Sequence, residues 1–119
     1  MATLQNTKIG FVGFGNMASA MADGWIASGE VDPKNMCACA GHFDALKERC
    51  ATRGMTAFET ADEVIANADV IVAGVKPYLI EKVFSGKEDA LSGKIVLSIA
   101  WTWDKGKWEA LLPGTHHIS

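Results

Sequence analysis

Gly13, Gly15 and Ala18 form a Gly-x-Gly-x-x-Ala series that directly follows the apolar run Lys8 to Val12 and opens a segment of helical spacing. Each small residue answers a different steric demand. Gly13 lets a strand turn sharply, Gly15 leaves bare backbone where an anion can come close, and Ala18 lets the next helix pack tightly on the strand. The amides around Phe14 to Met17 begin that helix, so they lack intrahelical partners and lie at the positive end of its dipole. A pyrophosphate satisfies both conditions. The series therefore points to a dinucleotide site comprising Gly13, Phe14, Gly15, Asn16, Met17 and Ala18.

The flanks agree with this. Met17, Met21, Gly24, Trp25 and Ser28 recur at the spacing of one helix face, and Gly29 supplies a stop. Lys8, the apolar run and Ala18-Ser19-Ala20 also have the outline of a secretory leader, but Gly10, Gly13 and Gly15 weaken the apolar helix that a leader forms.

Further along, short apolar runs alternate with helical segments. Met36 to Ala40 reads as a second strand, after the polar connection Glu30 to Asn35. A second helix follows, with Phe43, Leu46 and Cys50 inward and Lys47, Glu48 and Arg49 toward water. Met55 to Phe58 forms a third strand. Thr60 and Glu63 make a capping box for a third helix, along which Ala61, Val64, Ile65 and Ala68 recur. Asp69 to Val75 is continuous enough for a strand covered on both faces, and Lys76-Pro77 ends it. A helical stretch from Tyr78 to Leu91, a strand from Ile95 to Ala100, a helix capped by Asp104 and carrying Trp108, Leu111 and Leu112, and a last strand from His116 complete the order.

That alternation predicts an α/β fold, a doubly wound parallel sheet of the Rossmann type, in a single domain of 119 residues. Ligands of such sheets bind at the carboxyl ends of the strands, where the glycine turn, Ala40 to His42, Gly74 to Pro77 and Ala100 to Trp103 would converge. The second strand ends in Ala40-Gly41-His42, without the acid that favours NAD, so NADP is preferred and NAD remains possible. No apolar stretch is long enough to span a bilayer. The net charge of −3, with no basic cluster, argues against nucleic acid or anionic membrane as partner. Cys37, Cys39 and Cys50 lack zinc-site spacing and read as buried, reduced thiols of a cytoplasmic protein, with no metal site.

Four segments in this order, Gly13-x-Gly15-Asn16-Met17-Ala18, Val75-Lys76-Pro77, Ser98-Ile99-Ala100 and Glu109-Ala110-Leu111-Leu112-Pro113, resemble pyrroline-5-carboxylate reductase over nearly the whole chain. The resemblance implies reduction of 1-pyrroline-5-carboxylate to L-proline by NAD(P)H. It implies that His42 stands near the adenosine ribose, that Val75, Lys76 and Pro77 border the nicotinamide, and that Ala100 flanks the ring. It also implies that residues 1–119 are the cofactor-binding portion of a longer protein, whose helical C-terminal domain carries the substrate site and a homo-oligomer interface. The chain departs from the family at Trp101-Thr102-Trp103, where a small Ala-Gly pair is usual, and at Ala61, where an asparagine is usual.

No Ser-His-Asp, Cys-His or paired-carboxylate arrangement is present, so no residue is assigned a catalytic role. Two other readings share the glycine turn: a relative of the 3-hydroxyisobutyrate or prephenate dehydrogenases, and a dinucleotide-binding module without chemistry.

Overall fold

Strands β1 (Ile9–Val12), β2 (Met36–Cys39), β3 (Thr56–Phe58), β4 (Val70–Ala73), β5 (Ile95–Ser98) and β6 (His116–Ile118) pair in the order β3-β2-β1-β4-β5-β6 in the computed structural model, which describes residues 7–87, 89–99 and 116–118. Every pairing is parallel. The chain winds outward from β1 to β3 and then returns to β4 on the other side of β1, which makes the doubly wound sheet expected from the alternation. Val12, Cys39, Ala73 and Ser98 stand level in the register, so the loops that follow them leave the same edge of the sheet.

Parallel strands buried on both faces sort their side chains by alternation. Ile9, Phe11, Met36, Ala38 and Val72 join one core, with Ala18 and Ala22 of α1 (Asn16–Ser28) and Leu46 and Cys50 of α2 (Phe43–Ala51). Val12, Cys37, Cys39, Ile71, Ala73 and Val96 join the other, with Val64 and Ile65 of α3 (Ala61–Ala66) and Ile80 and Phe84 of α4 (Pro77–Phe84). Helices α1 and α2 thus cover one face and α3 and α4 the other. Gly10 permits the close approach of α3: a methyl group there would stand 2.4 Å from Val64 Cγ1 and 2.9 Å from Ala68 Cβ.

Local signals account for the helix ends. Gly29 closes α1 in the left-handed conformation at φ 75°, which glycine adopts without a Cβ penalty. The Thr60 hydroxyl accepts from the Glu63 amide at 3.2 Å and donates to the Glu63 carboxylate at 3.1 Å, so the two capping residues also engage each other. Pro77 occupies the first turn of α4, where its missing N–H costs no helical bond.

Three expectations are corrected. The inner face of α1 is Ala18, Ser19 and Ala22, flanked by half-buried Met21, Trp25 and Ile26, whereas Met17, Gly24 and Ser28 are exposed. The helix lies too close to the sheet for large side chains: Ala18 Cβ is only 3.3 Å from the position of a Cβ on Gly74. Arg49 does not extend into water but turns back toward α1, where it finds two acceptors. Helical structure after Pro77 ends at Phe84, and Leu91 is buried from a following turn. The helix expected from Asp104, with Trp108, Leu111 and Leu112, lies outside the described residues, as do Trp101 to Trp103.

Candidate functional site

The loops after β1, β2 and β4 meet around a cleft of ≈ 560 Å³, at the point where the strand order reverses. Gly13, Phe14 and Gly15 come from the first loop, Ala40, Gly41 and His42 from the second, and Gly74, Val75 and Lys76 from the third. Ala45, Leu46 and Arg49 of α2 and Leu79 of α4 complete its wall. A cavity of ≈ 130 Å³, bordered by Lys8, Lys34 and Asn67, contains none of the residues expected at the dinucleotide site.

Backbone bonds fix these loops to one another. The Gly13 amide donates to Cys39 O at 2.9 Å, and the Gly74 amide donates to Val12 O at 2.8 Å. Gly13 has φ +90°, and a methyl group on it would stand 2.7 Å from the Val75 amide nitrogen. A methyl group on Gly74 would meet the Gly13 carbonyl oxygen at the same distance of 2.7 Å. Both positions are therefore glycine because the fold requires it. The two other glycines of the cleft differ: a Cβ on Gly15 or on Gly41 would meet nothing within 4 Å. Gly15 moreover has φ −82°, which any residue adopts.

The start of α1 is left without a side-chain cap, and its first turn carries no acid. Amides there can serve a ligand. The charged lining residues described are Arg49 and Lys76, with His42 beside them, and no carboxylate is among the described lining residues. The cleft suits an anion.

Most of the residues expected at the site converge. Gly13, Phe14, Gly15, His42, Val75 and Lys76 line the cleft. Asn16 and Met17 stand exposed in the first turn of α1, while Ala18 is buried beneath it against Gly74, in the packing role its size suggested. The backbone of Pro77 begins α4 at the cleft rim. Ala100 lies outside the described residues.

Arg49 is the residue that sequence reading missed. One of its terminal nitrogens donates to Phe14 O at 2.8 Å and the other to Ser19 Oγ at 2.7 Å. The signal was there in the spacing: His42, Ala45, Leu46 and Arg49 share one helix face that begins at a cleft loop.

The family model described as NADP oxidoreductase, coenzyme F420-dependent, matches residues 8–101. The chain belongs to that family. Among its relatives, a pyrroline-5-carboxylate reductase of Methanosarcina acetivorans is 35% identical over 117 residues, which cover 97% of this chain and 43% of that protein. A pyrroline-5-carboxylate reductase structure from Coxiella burnetii superposes with a TM-score of 0.82 at 32% identity, over 90% of this chain and 40% of the other. A Plasmodium falciparum pyrroline carboxylate reductase with NADP bound superposes with a TM-score of 0.79 at 27% identity, over 91% of this chain and 38% of the other. These are members of the group that the four sequence segments pointed to. The chain spans between 35% and 43% of the length of the curated relatives it first matches.

Proposed function

We propose that this chain is the dinucleotide-binding portion of an enzyme that reduces 1-pyrroline-5-carboxylate to L-proline, with NADPH preferred over NADH. The observation that carries the reading is the contrast among the cleft glycines. Gly13 and Gly74 are demanded by the packing, whereas Gly15 faces open space at an uncapped helix start, the arrangement a pyrophosphate needs.

In this reading the backbone of Gly13 to Met17 holds the pyrophosphate, with Ala18 setting the helix close behind it. His42 and Gly41 border the adenosine ribose and its 2′-phosphate. Val75, Lys76, Pro77 and Ala100 border the nicotinamide. The dinucleotide supplies the hydride when bound; the chain orients it and excludes water from one side of the reacting carbon. No residue of this chain is assigned as proton donor. The imino acid and the oligomer contacts fall to the helical portion of the longer relatives that this chain does not span, and a cytoplasmic setting belongs to the same proposal. The Plasmodium falciparum structure with NADP bound supports the choice of dinucleotide.

Calorimetric titration with NADPH and NADH tests this. NADPH should bind more tightly, and Gly41→Asp should reverse the order by repelling the 2′-phosphate while accepting from ribose hydroxyls. Failure to bind either dinucleotide overturns the reading, and a clear NADH preference in the unaltered chain overturns the assignment of NADP.

A further inference from the structure

We infer that Arg49 is a positioning residue for the pyrophosphate turn, acting through the backbone of Phe14 and Gly15; the inference rests on the dinucleotide reading of the cleft. The guanidinium reaches from α2 to two acceptors on the turn and the helix it opens. One nitrogen donates to Phe14 O at 2.8 Å, and the other to Ser19 Oγ at 2.7 Å. Ser19 Oγ in turn donates to Gly15 O at 2.6 Å. Two consecutive carbonyls of the glycine turn are thereby held on the side of α1 and α2.

Peptide planarity converts this into a statement about the amides. No described peptide bond is cis, and in a trans peptide the C=O and the following N–H point in opposite directions. Holding Phe14 O toward α2 turns the Gly15 amide the other way. Holding Gly15 O along the helix does the same for the Asn16 amide. Both are donors at an uncapped helix start, and both must point outward if an anion is to be bound there.

The ring of Phe14 is fastened as firmly as its carbonyl. It is buried, with the Arg49 guanidinium carbon 5.3 Å and the Arg53 guanidinium carbon 5.5 Å from its centroid. Arg53 is itself anchored, through Nε to Asp23 at 2.7 Å and through a terminal nitrogen to Arg49 O at 2.8 Å. The residue between the two glycines of the motif is thus clamped by Arg49 of α2 and by Arg53 of the turn that follows it, and it lines the cleft. Neither acceptor of Arg49 carries a charge, and the carboxylate that feels its charge, Asp23, is the one already bound by Arg53.

A lysine would keep the charge but cannot span two acceptors in fixed geometry. Calorimetry with NADPH and NADH on the full chain, alongside Arg49→Met, Arg49→Lys and Ser19→Ala, is the test. Arg49→Met should weaken both dinucleotides equally, by about tenfold to a hundredfold, the loss that goes with misaligned bonds to a charged group. Arg49→Lys should fail to restore affinity, and Ser19→Ala should show a smaller loss, again equal for both. Unchanged affinity in Arg49→Met, full rescue by lysine, or a loss confined to NADPH would overturn the inference; the last would make Arg49 a direct reader of the 2′-phosphate. Should Arg49→Met fail to fold, Ser19→Ala decides: equal weakening supports the relay and unchanged affinity overturns it. If the unaltered chain binds neither dinucleotide, the dinucleotide reading falls and the inference falls with it.

Discussion

Gly13 and Gly74 touch backbone to backbone, so that a methyl group on Gly74 would stand 2.7 Å from the Gly13 carbonyl oxygen. This contact joins the turn after β1 to the end of β4 and sets the floor of the cleft. Gly74→Ala must displace backbone rather than a flexible side-chain tip, and it should lower stability in urea denaturation by about 1–3 kcal/mol, the usual cost of overpacking. Gly15→Ala should stay within about 0.5 kcal/mol of the parent, as for a substitution that meets no neighbour. Gly15→Val should keep the fold as well and lose NADPH binding by calorimetry. A Gly15→Val chain that binds NADPH as tightly as the parent would mean that the cofactor site lies elsewhere.

Gly10 carries a second steric demand, on the opposite face of the sheet. Its added methyl group would stand 2.4 Å from Val64 Cγ1 and 2.9 Å from Ala68 Cβ. Gly10→Ala should therefore cost about 1–3 kcal/mol by forcing α3 off β1. Val64→Ala removes the nearer obstacle, so the same glycine substitution should cost less in a Val64→Ala background. Equal costs in the two backgrounds would show that α3 moves freely and that Val64 is not what excludes a side chain at position 10.

Much of this arrangement was legible in the sequence because it rests on local rules. The runs Ile9 to Val12 and Val70 to Ala73 are apolar throughout, as strands covered on both faces must be, and their lengths and turn residues separate them from helices. The convergence of Gly13, His42 and Lys76 followed from strand order alone. What was hidden depends on the distance between elements. Periodicity marks the large residues of α1, yet the tight fit of that helix on the sheet selects Ala18 and Ala22 for contact and leaves Met17 61% exposed. Arg49 reads as a solvated charge on a helix face, and only the nearness of Phe14 O and Ser19 Oγ draws it inward. Gly10, inside a strand, gives no sign in sequence that α3 lies against it.

Burial pushes the Cys37 thiol up from 9.0 to about 12 and the Cys39 thiol to about 11, with the nearby Cys39 and Cys50 adding to the first and Glu63 to the second. An unfolded chain releases these protons near the ordinary value, while the folded chain keeps them. Stability from this source is therefore whole at neutral pH and falls as pH rises from about 9 toward 11 and beyond, by at most about 1.4 kcal/mol per pH unit for each thiol. Urea denaturation between pH 8 and pH 10.5 should show this decline, to roughly the extent set by linkage. A Cys37→Ala/Cys39→Ala chain should be less stable at neutral pH, through the lost packing, but should show a flatter alkaline slope. Parallel slopes in the two proteins would assign the alkaline loss to other groups.

Bringing hydride donor and acceptor together in a reactive geometry supplies much of the barrier reduction in a two-reactant step, equivalent to about 7–11 kcal/mol in well-oriented cases. The cleft offers loops and helix starts for the dinucleotide, with Arg49 and Lys76 as its charged lining, while the chain spans only 35% to 43% of the length of the curated relatives it first matches. NADPH should therefore bind to residues 1–119 without measurable oxidation when 1-pyrroline-5-carboxylate is added, followed by the dinucleotide's absorbance. Fusing the chain to the C-terminal portion of the Methanosarcina acetivorans relative, which this chain does not span, should produce turnover, because the imino acid then gains a wall opposite the nicotinamide. Gly15→Val in that fusion should abolish it. Turnover by residues 1–119 alone would put the substrate site within this chain, and a fusion that binds NADPH yet leaves the imino acid untouched would point to a different reductase or dehydrogenase substrate.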